Sequence, residues 1–366
     1  MSAHRASYWL VACALVVAGA VSLPAEAGTS AEPFAAPDNG RSCRASMLPV
    51  TVELGSAQVF ARMCTPTGSR PRAVQLLVHG ITYDHRYWNT ADPAQPRGDR
   101  YSWEAAAARA GYATVAIDRL GAGRSSHPPS ATVTLASNAA VVHQVVQQLR
   151  AGRVPAAGKP IAYRTVVLVG HSYGSMTAWT EADRFQDVDA LVLTGATHNV
   201  REVHAPSNIE ASMYPAVLDP RYAGTLLDPG YVTPRPGTVN GLFYAPGTDV
   251  DPRIIAADEQ KKGTVSQFEL LNYPVIFRTR LDLRVPVFLL VGDKDGIFCS
   301  QTPFDLGAPC GSPSRLVANE RPWLGPRVPS VQAFVTAGAG HDLNNFRSSQ
   351  TSFAAALRWL RATVRQ

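Results

Sequence analysis

A serine flanked by two glycines is the part of the sequence whose residue types most suggest chemistry. The stretch Gly170-His171-Ser172-Tyr173-Gly174 follows the apolar run VVLV and precedes a segment with helical character. A tight strand-to-helix turn of the G-x-S-x-G type exposes a serine hydroxyl, and the helix N-terminus favours negative charge beside it. Because a serine hydroxyl is a weak nucleophile at neutral pH, it needs a base that is oriented by an acid.

Both partners follow Ser172 in the chain, each just after an apolar run that predicts a buried strand. Asp293 and Asp295 follow VFLLVG, and His341 follows AFVTAGAG. The order serine, acid, histidine is the order expected of a nucleophile on this type of turn. We predict that Ser172 is the nucleophile and His341 the base, with an acid at Asp295 or Asp293. His171 is expected to point away from the reacting atoms.

The elements that position these residues alternate along the chain. Continuous apolar runs of strand length cover residues 73–80, 112–118, 164–170, 189–196, 285–293 and 331–340. Helices are predicted over residues 101–111, 132–150, 173–185 and 349–365, and alternating residues predict an N-terminal hairpin over 47–54 and 57–64. This alternation predicts an α/β fold with a mostly parallel sheet and helices on both faces.

One long segment interrupts the alternation. Residues 197–283 contain many prolines and glycines and one helical patch, RIIAADEQ, but no evident strand–helix unit. Ligands bind at the carboxyl ends of the strands in open α/β sheets, and long insertions in a compact domain are usually functional. We therefore predict a lid over residues 197–283, with the core formed by 28–196 and 284–366. A surface insertion without a role in binding is the alternative.

The N-terminus resembles an export signal. Arg5 precedes an apolar run that ends near residue 23, and Ala25-Glu26-Ala27 forms an A-x-A cleavage site. The run is short for a membrane span of about 20 residues. We predict removal of residues 1–27, secretion of the mature chain, and no stable membrane anchor after removal.

Cysteine usage is consistent with an oxidising compartment. Outside the signal segment four cysteines remain, Cys43, Cys64, Cys299 and Cys310, and they allow three pairings. Pairing of sequence neighbours predicts disulfides Cys43–Cys64 and Cys299–Cys310. A zinc site is the competing interpretation, but the sequence has no C-x-x-C and no histidine close to either pair.

Charge and composition exclude other classes of protein. Lys and Arg number 34 against 28 Asp and Glu, and the net charge is +6. The basic residues form no dense run and accompany no nucleic-acid motif, so we expect no nucleic-acid partner. With 46% hydrophobic residues the chain is too apolar to be disordered.

Five motifs together resemble the α/β-hydrolase superfamily over about residues 73–365. They are LLVHG, AIDRLGAGRSS, VGHSYGS, LLVGDKD and AGAGH. In the second, Asp118, Gly121, Gly123 and Ser125 match a loop that is structural in the family. The resemblance also implies an acid three residues after Gly292, which favours Asp295 over Asp293.

The same resemblance implies an oxyanion hole. One donor is the backbone N–H of Tyr173, and the other is the N–H of Ile81 in the loop after LLVHG. Thr82 and Tyr83 in this loop are expected either to line the substrate pocket or to pack against the lid. The loop departs from the His-Gly-aromatic-Pro pattern of members with an aspartate nucleophile, which argues against their chemistry.

These residues predict acyl transfer to water without a metal or organic cofactor. We expect a secreted esterase with a small-molecule ester or lactone as substrate. A peptidase or amidase on the same residues is one alternative, although secreted aminopeptidases of the superfamily usually carry Gly-Gly-Ser and acidic lid residues. An acyltransferase or a non-catalytic binding protein is the other.

Overall fold

The computed structural model describes residue 36 and residues 38–71, 73–95, 97–201, 205–271, 273–302 and 304–364. The predicted signal segment, residues 1–27, lies outside the described residues. Within the described residues no helix has the length and apolarity needed to cross a membrane.

The described residues contain eleven strands in two sheets. They are β1 Arg41–Val52, β2 Gly55–Pro66, β3 Val74–Val78, β4 Ala113–Ile117, β5 Val166–His171, β6 Ala190–Thr194, β7 Met213–Pro215, β8 Tyr231–Pro234, β9 Val265–Ser266, β10 Val287–Gly292 and β11 Val331–Thr336. The large sheet has the order β1-β2-β4-β3-β5-β6-β10-β11. Strands β3 to β6, β10 and β11 are parallel to one another. Strand β2 is antiparallel to both of its neighbours, β1 and β4. The predicted mostly parallel α/β sheet is therefore confirmed.

Ten α-helices connect or flank these strands in the described part of the chain. They are α1 Trp103–Arg109, α2 Leu135–Arg150, α3 Tyr173–Phe185, α4 Ala205–Ser212, α5 Val239–Phe243, α6 Pro252–Lys261, α7 Gln267–Leu270, α8 Tyr273–Ile276, α9 Pro313–Leu324 and α10 Ser349–Thr363. Strands β3, β4, β5, β6 and β10 are buried along their whole length. The sequences of these strands are mostly apolar without alternation, because helices cover both faces of the sheet.

Both predicted disulfides are present. Cys43 of β1 and Cys64 of β2 are directly opposite in the antiparallel register, with Cα atoms 4.1 Å apart. Cys299 and Cys310 close a loop after β10, with Cα atoms 5.4 Å apart. The neighbour pairing is correct in both cases.

The segment between β6 and β10 is more regular than the sequence indicated. No strand–helix unit was expected in residues 197–283; what the segment does contain is a small antiparallel sheet of β7, β8 and β9. The predicted helical patch is present as α6. The strands have at most four residues each, too short for a hydrophobic period to reveal them. We call residues 197–283 the lid.

One helix was not predicted, and the first residue of another differs from the prediction. Helix α9 was not anticipated, since Pro322 lies inside it and an interior proline disfavours a helix, whereas Pro313 in the first turn is compatible with one. Helix α2 begins at Leu135 rather than residue 132, because the Thr134 hydroxyl accepts the Ser137 N–H and caps the first turn.

Candidate active site

The predicted nucleophile lies at a strained turn between a strand and a helix. Strand β5 ends at His171, helix α3 begins at Tyr173, and Ser172 between them has φ 52° and ψ −121°. A positive φ is costly for a residue with a side chain and persists only where the surroundings enforce it. Here the Ser172 N–H donates to the Thr194 carbonyl at 2.8 Å, which ties the turn to β6.

The flanking glycines allow α3 to approach the sheet. A Cβ atom on Gly170 would lie 2.4 Å from the Cα of Ser175, and one on Gly174 would lie 2.0 Å from the carbonyl oxygen of Val78. Both distances are far below van der Waals contact with backbone that cannot move away. The two glycines of the motif are therefore required by packing around Ser172.

The structure brings the predicted base to Asp295 and not to Asp293. The Nδ1 atom of His341 is 2.9 Å from Oδ2 of Asp295. The other oxygen of Asp295 accepts the N–H groups of Ile297 and Phe298 at 2.9 and 3.1 Å. Asp293 instead accepts the Gly338 N–H at 2.7 Å, which is the turn-stabilising alternative.

Electrostatics favour a charged Asp295 beside a basic imidazole. Burial alone would raise the pKa of Asp295, but His341 and the donated N–H groups outweigh it and lower this pKa. Burial likewise opposes the charged form of His341, yet the Asp295 carboxylate raises the imidazole pKa above its ordinary value. The pair is therefore built to stabilise a proton gained by His341.

The second nitrogen of His341 is available for a reacting proton. Its Nε2 atom is buried and has no hydrogen-bond partner among the described residues. The structure shows no hydrogen bond from Ser172 to this atom, a contact that often tightens only when substrate binds. Ser172 is 7% exposed and His341 1% exposed, so the site is covered.

The loop after β3 carries the predicted oxyanion donor Ile81 and a second strained residue. The N–H of Ile81 donates no hydrogen bond among the described residues, and Thr82 beside it has φ 57°. A left-handed conformation is unusual for a β-branched residue. Its side-chain hydroxyl donates to the Ile81 carbonyl at 2.7 Å, and Gly263 of the lid donates its N–H to the Thr82 carbonyl at 2.6 Å.

His79 holds this loop in place and was missed by the sequence analysis. Its Nε2 accepts the Arg119 N–H at 2.9 Å, which leaves the proton on Nδ1 to donate to the Gly80 carbonyl at 2.8 Å. Burial and the nearby Arg119 cation lower the pKa of His79 to about 3, so the ring stays neutral. Its position directly before Gly80 in the motif LLVHG was the available signal.

The His171 ring lies beside that of His341, with centroids 4.9 Å apart, and both of its nitrogens contact residues other than Ser172. Its Nδ1 lies 3.1 Å from the Thr194 hydroxyl, and its Nε2 lies 3.1 Å from Oδ1 of Asp342. The ring stacks on Tyr87 with centroids 4.3 Å apart. Asp342 follows His341 directly, so this contact connects the serine turn to the histidine loop.

A buried hydrogen-bond network joins Asp342 to the lid through Tyr83. The Tyr83 hydroxyl contacts Oδ2 of Asp342 and lies 2.5 Å from Oδ2 of Asp258 in helix α6. The Tyr244 hydroxyl lies 3.0 Å from the same Asp258 oxygen and accepts from Asn345 at 2.8 Å. The ring of Tyr83 thus packs between the core and the lid. Of the two alternatives for this loop, this contact corresponds to packing against the lid.

This arrangement requires a shared proton. A tyrosine hydroxyl has one hydrogen, so Tyr83 can donate to one carboxylate but must accept from the other. One of Asp258 and Asp342 therefore carries a proton in this geometry. Burial raises the pKa of Asp258 to about 6 and that of Asp342 to about 7, in agreement with this count.

The lid also contacts the histidine loop directly. The His341 N–H donates to the Phe243 carbonyl at 3.2 Å, and the two rings stack with centroids 5.9 Å apart. The Phe298 ring also stacks on His341, with centroids 5.6 Å apart. His341 therefore contacts aromatic rings from the lid and from the segment just before Cys299.

One group of metal-type ligands lies within this site. The ligand atoms of His171, His341 and Asp342 lie within 4.8 Å of one another. However, His171 and Asp342 bond to each other, and Asp295 occupies Nδ1 of His341. We assign this group to hydrogen bonding.

Comparison with known proteins agrees with the fold. The model of the alpha/beta hydrolase family matches residues 75–356, and the chain belongs to that family. Membership supports a hydrolase as the general class of enzyme. No curated protein sequence matches the chain.

Solved structures with this fold are distant in sequence. A soluble variant of monoglyceride lipase from Saccharomyces cerevisiae gives a TM-score of 0.58 at 14% identity, over 92% of this chain and 100% of that chain. A carboxyl esterase from Bacillus coagulans gives 0.55 at 18%, over 88% and 99%. A bromoperoxidase from Bacillus anthracis gives 0.54 at 18%, over 86% and 100%. At these identities the similarity describes the fold alone.

Proposed function

We propose that the protein is a secreted serine hydrolase that cleaves carboxylic esters or lactones through an acyl-enzyme. The observation that carries the proposal is the strained Ser172 turn together with the 2.9 Å bond between His341 and Asp295. These are the parts that a serine nucleophile needs, a base and an acid that orients it.

Each group has a defined role in the proposed mechanism. Ser172 Oγ attacks the substrate carbonyl carbon while its proton passes to Nε2 of His341. Asp295 keeps the other imidazole proton on Nδ1 and stabilises the imidazolium. The N–H groups of Ile81 and Tyr173 bind the oxyanion, a contribution of about 10²- to 10³-fold for one such donor. His341 then protonates the leaving alcohol, and it next takes a proton from the water that releases the acid.

Substrate entry in this mechanism requires movement of the lid. Ser172 and His341 are almost fully buried, and Phe243 covers the histidine. Apolar rings around His341 are suited to an acyl or alcohol group, since buried apolar area contributes about 25 cal/mol per Å². We therefore propose esters with an apolar portion as the substrate class.

The acidic lid residues bear on the peptidase alternative. Asp258 does fold back towards the site, but Tyr83 and Tyr244 occupy one of its oxygens and Lys261 lies 3.8 Å from the other. An aminopeptidase needs a carboxylate that is open to the substrate amine. The partners of Asp258 favour the esterase over that alternative.

A labelling and turnover experiment tests the proposal. A fluorophosphonate probe should label the mature protein at Ser172, and matched p-nitrophenyl esters and p-nitroanilides should then be compared. After division by the uncatalysed rates, we expect kcat/KM to favour the esters at least about tenfold, or about 1.4 kcal/mol. Labelling elsewhere would contradict the nucleophile, and equal or better anilide cleavage would replace the esterase with a peptidase.

A further inference from the structure

A second cluster of titratable side chains lies away from the serine turn, between helices α2 and α3. It comprises His143 of α2, Glu181 of α3 and Asp187 in the loop after α3, and one ligand atom of each lies within 4.8 Å of the others. Glu181 lies eight residues beyond the first residue of α3, which places it about 12 Å along the helix from that end. The proposed hydrolysis makes no use of these residues.

The cluster contains buried polar atoms without partners. Among the described residues, no hydrogen bond is made by either carboxylate oxygen of Glu181 or by Oδ1 of Asp187. Nδ1 of His143 lies 2.9 Å from Oδ2 of Asp187, but not in a geometry that forms a hydrogen bond. The Glu181 side chain is 0% exposed. Leaving a buried carboxylate without any donor is costly, so something positively charged or protic must satisfy it.

The backbone and neighbouring side chains hold the three groups close together. Gln186 has φ 54°, and this left-handed residue turns the chain so that Asp187 returns over the end of α3. Gln147 donates to Oδ2 of Asp187 at 2.5 Å, which orients the carboxylate and leaves Oδ1 unpartnered. Phe185 stacks on the His143 ring at 3.9 Å and holds its plane.

The distances suit a small divalent ion. His143 Nδ1 lies 2.9 Å from Oδ2 of Asp187 and 3.7 Å from Oε1 of Glu181. Ligand atoms at about 2.0 Å from a tetrahedral zinc ion lie about 3.3 Å from each other, between these two values. One imidazole nitrogen with two carboxylates suits zinc-like ions, whereas Ca²⁺ and Mg²⁺ prefer oxygen ligands throughout.

We propose that His143, Glu181 and Asp187 bind one Zn²⁺ ion, which ties helix α2 to the carboxyl end of helix α3. Water completes the coordination, because the His143 and Asp187 side chains are 27% and 17% exposed. This site goes beyond the proposed hydrolase function and differs from the sequence-based expectation of no metal. Its role is structural, since Glu181 lies about 12 Å along α3 from the end next to Ser172 and the proposed hydrolysis uses none of the three residues.

A proton is the competing occupant. Burial and the adjacent Asp187 carboxylate raise the pKa of Glu181 to about 10, so without a metal this carboxyl group is neutral at physiological pH. A protonated Glu181 that donates to Asp187 would then satisfy part of the cluster. Binding measurements distinguish the two occupants.

The test uses the mature protein after treatment with a chelator and titration with zinc chloride in a calorimeter. We expect one saturable site per chain and a higher melting temperature with zinc. Glu181→Gln and Asp187→Asn should each weaken binding at least about tenfold, an effect seen even for residues that only support a ligand. Asp183→Asn is the matched control. It removes a carboxylate from the same helix, but this carboxylate accepts the Asp282 N–H and is not part of the cluster. It should bind zinc as the wild type does.

Two further measurements keep the result decisive. His341→Ala should retain the site, and loss of binding in that variant would assign the zinc to the serine site and overturn the proposal. Visible absorption of the Co²⁺-loaded wild-type protein, displaced by zinc, reports coordination without any variant. The zinc proposal would be overturned if the wild type showed no saturable zinc uptake, or if Glu181→Gln and Asp187→Asn bound zinc as tightly as the wild type. The occupant of the cluster would then be the proton on Glu181.

Discussion

The Nδ1 atom of His341 lies 2.9 Å from Asp295, although Asp293 is only two residues away along the same loop. Asp295 also accepts two backbone N–H groups, which hold its carboxylate charged and oriented towards the ring. Asp293 bonds the backbone of Gly338 on the neighbouring loop. One of the two carboxylates therefore meets the histidine, while the other stabilises a turn.

Replacement of Asp295 should affect turnover much more than replacement of Asp293. In Asp295→Asn the amide no longer stabilises the imidazolium or secures the required tautomer, a change that lowers kcat about 10⁴-fold in a related arrangement. Asp293→Asn loses one hydrogen bond, and we expect kcat within about tenfold of the wild type. Steady-state kinetics of both variants on one ester decide this, and the reverse order would move the acid to Asp293.

Removal of the Ser172 hydroxyl should abolish activity without loss of the fold. Ser172→Ala retains the backbone and the bond from the residue 172 N–H to Thr194, so the melting temperature should change little. Without the nucleophile we expect ester hydrolysis to fall by several orders of magnitude. The comparison is the purified variant against the wild type, each also exposed to the fluorophosphonate probe. Substantial residual turnover in the folded variant would exclude Ser172 as the nucleophile.

The two disulfides should differ in their effect on activity. The Cys299 N–H donates to the Asp295 carbonyl at 3.1 Å, so the loop closed by Cys299–Cys310 begins at the proposed acid. A closed loop of this length stabilises the fold by up to about 3 kcal/mol in the chain-entropy model. We expect the Cys299→Ala/Cys310→Ala variant to lose both stability and kcat.

The other disulfide provides the matched control. Cys43 and Cys64 join β1 to β2 at the edge of the sheet, away from the histidine loop. The Cys43→Ala/Cys64→Ala variant should lose stability but retain kcat at temperatures where it is folded. Urea denaturation and ester kinetics on the two double variants measure both quantities. A larger loss of kcat in the β1–β2 variant would contradict the assignment.

Lid attachment should weaken as the pH rises. Burial raises the pKa of Asp258 to about 6 and that of Asp342 to about 7, above the value of about 3.9 for an exposed aspartate. From about pH 4 to pH 7 the folded protein therefore binds more protons than the unfolded chain, and this contribution to stability is lost across that range. It is fully present below about pH 4 and absent above about pH 7.

Asp258→Asn isolates this effect. An asparagine amide can still donate to the Tyr83 hydroxyl but does not titrate. Relative to this variant, the free energy of unfolding of the wild type should fall by up to about 1 kcal/mol per pH unit as the pH rises towards 7. Asp249→Asn is the control, because Asp249 forms an exposed ion pair with Arg347. The free energy of unfolding is measured by urea denaturation at each pH. If it changed with pH equally in the wild type and in Asp258→Asn, Asp258 would not share a proton with Asp342 through Tyr83.

Local patterns were sufficient to predict the sheet and the strand-to-helix turn at Ser172. Strands such as β5 and β10 are buried on both faces, so their apolar runs stand out from the neighbouring helices. The strained Ser172 also leaves a local trace, because the glycines at 170 and 174 are the residues that close backbone packing permits. The cysteine pairs likewise were correct, since neighbours in sequence were neighbours in the fold.

Contacts between residues far apart in the chain were decided only by the tertiary structure. The choice between Asp293 and Asp295 depends on where β10 and β11 bring their loops, and the resemblance to a family favoured Asp295 before geometry did. The Asp342–Tyr83–Asp258 network joins residues separated by 175 and 259 positions, which no local period encodes. Short lid strands and a helix that contains Pro322 gave patterns too weak to detect. A local sequence pattern records the burial of its own segment, whereas a hydrogen bond between distant side chains exists only once the chain has folded around both.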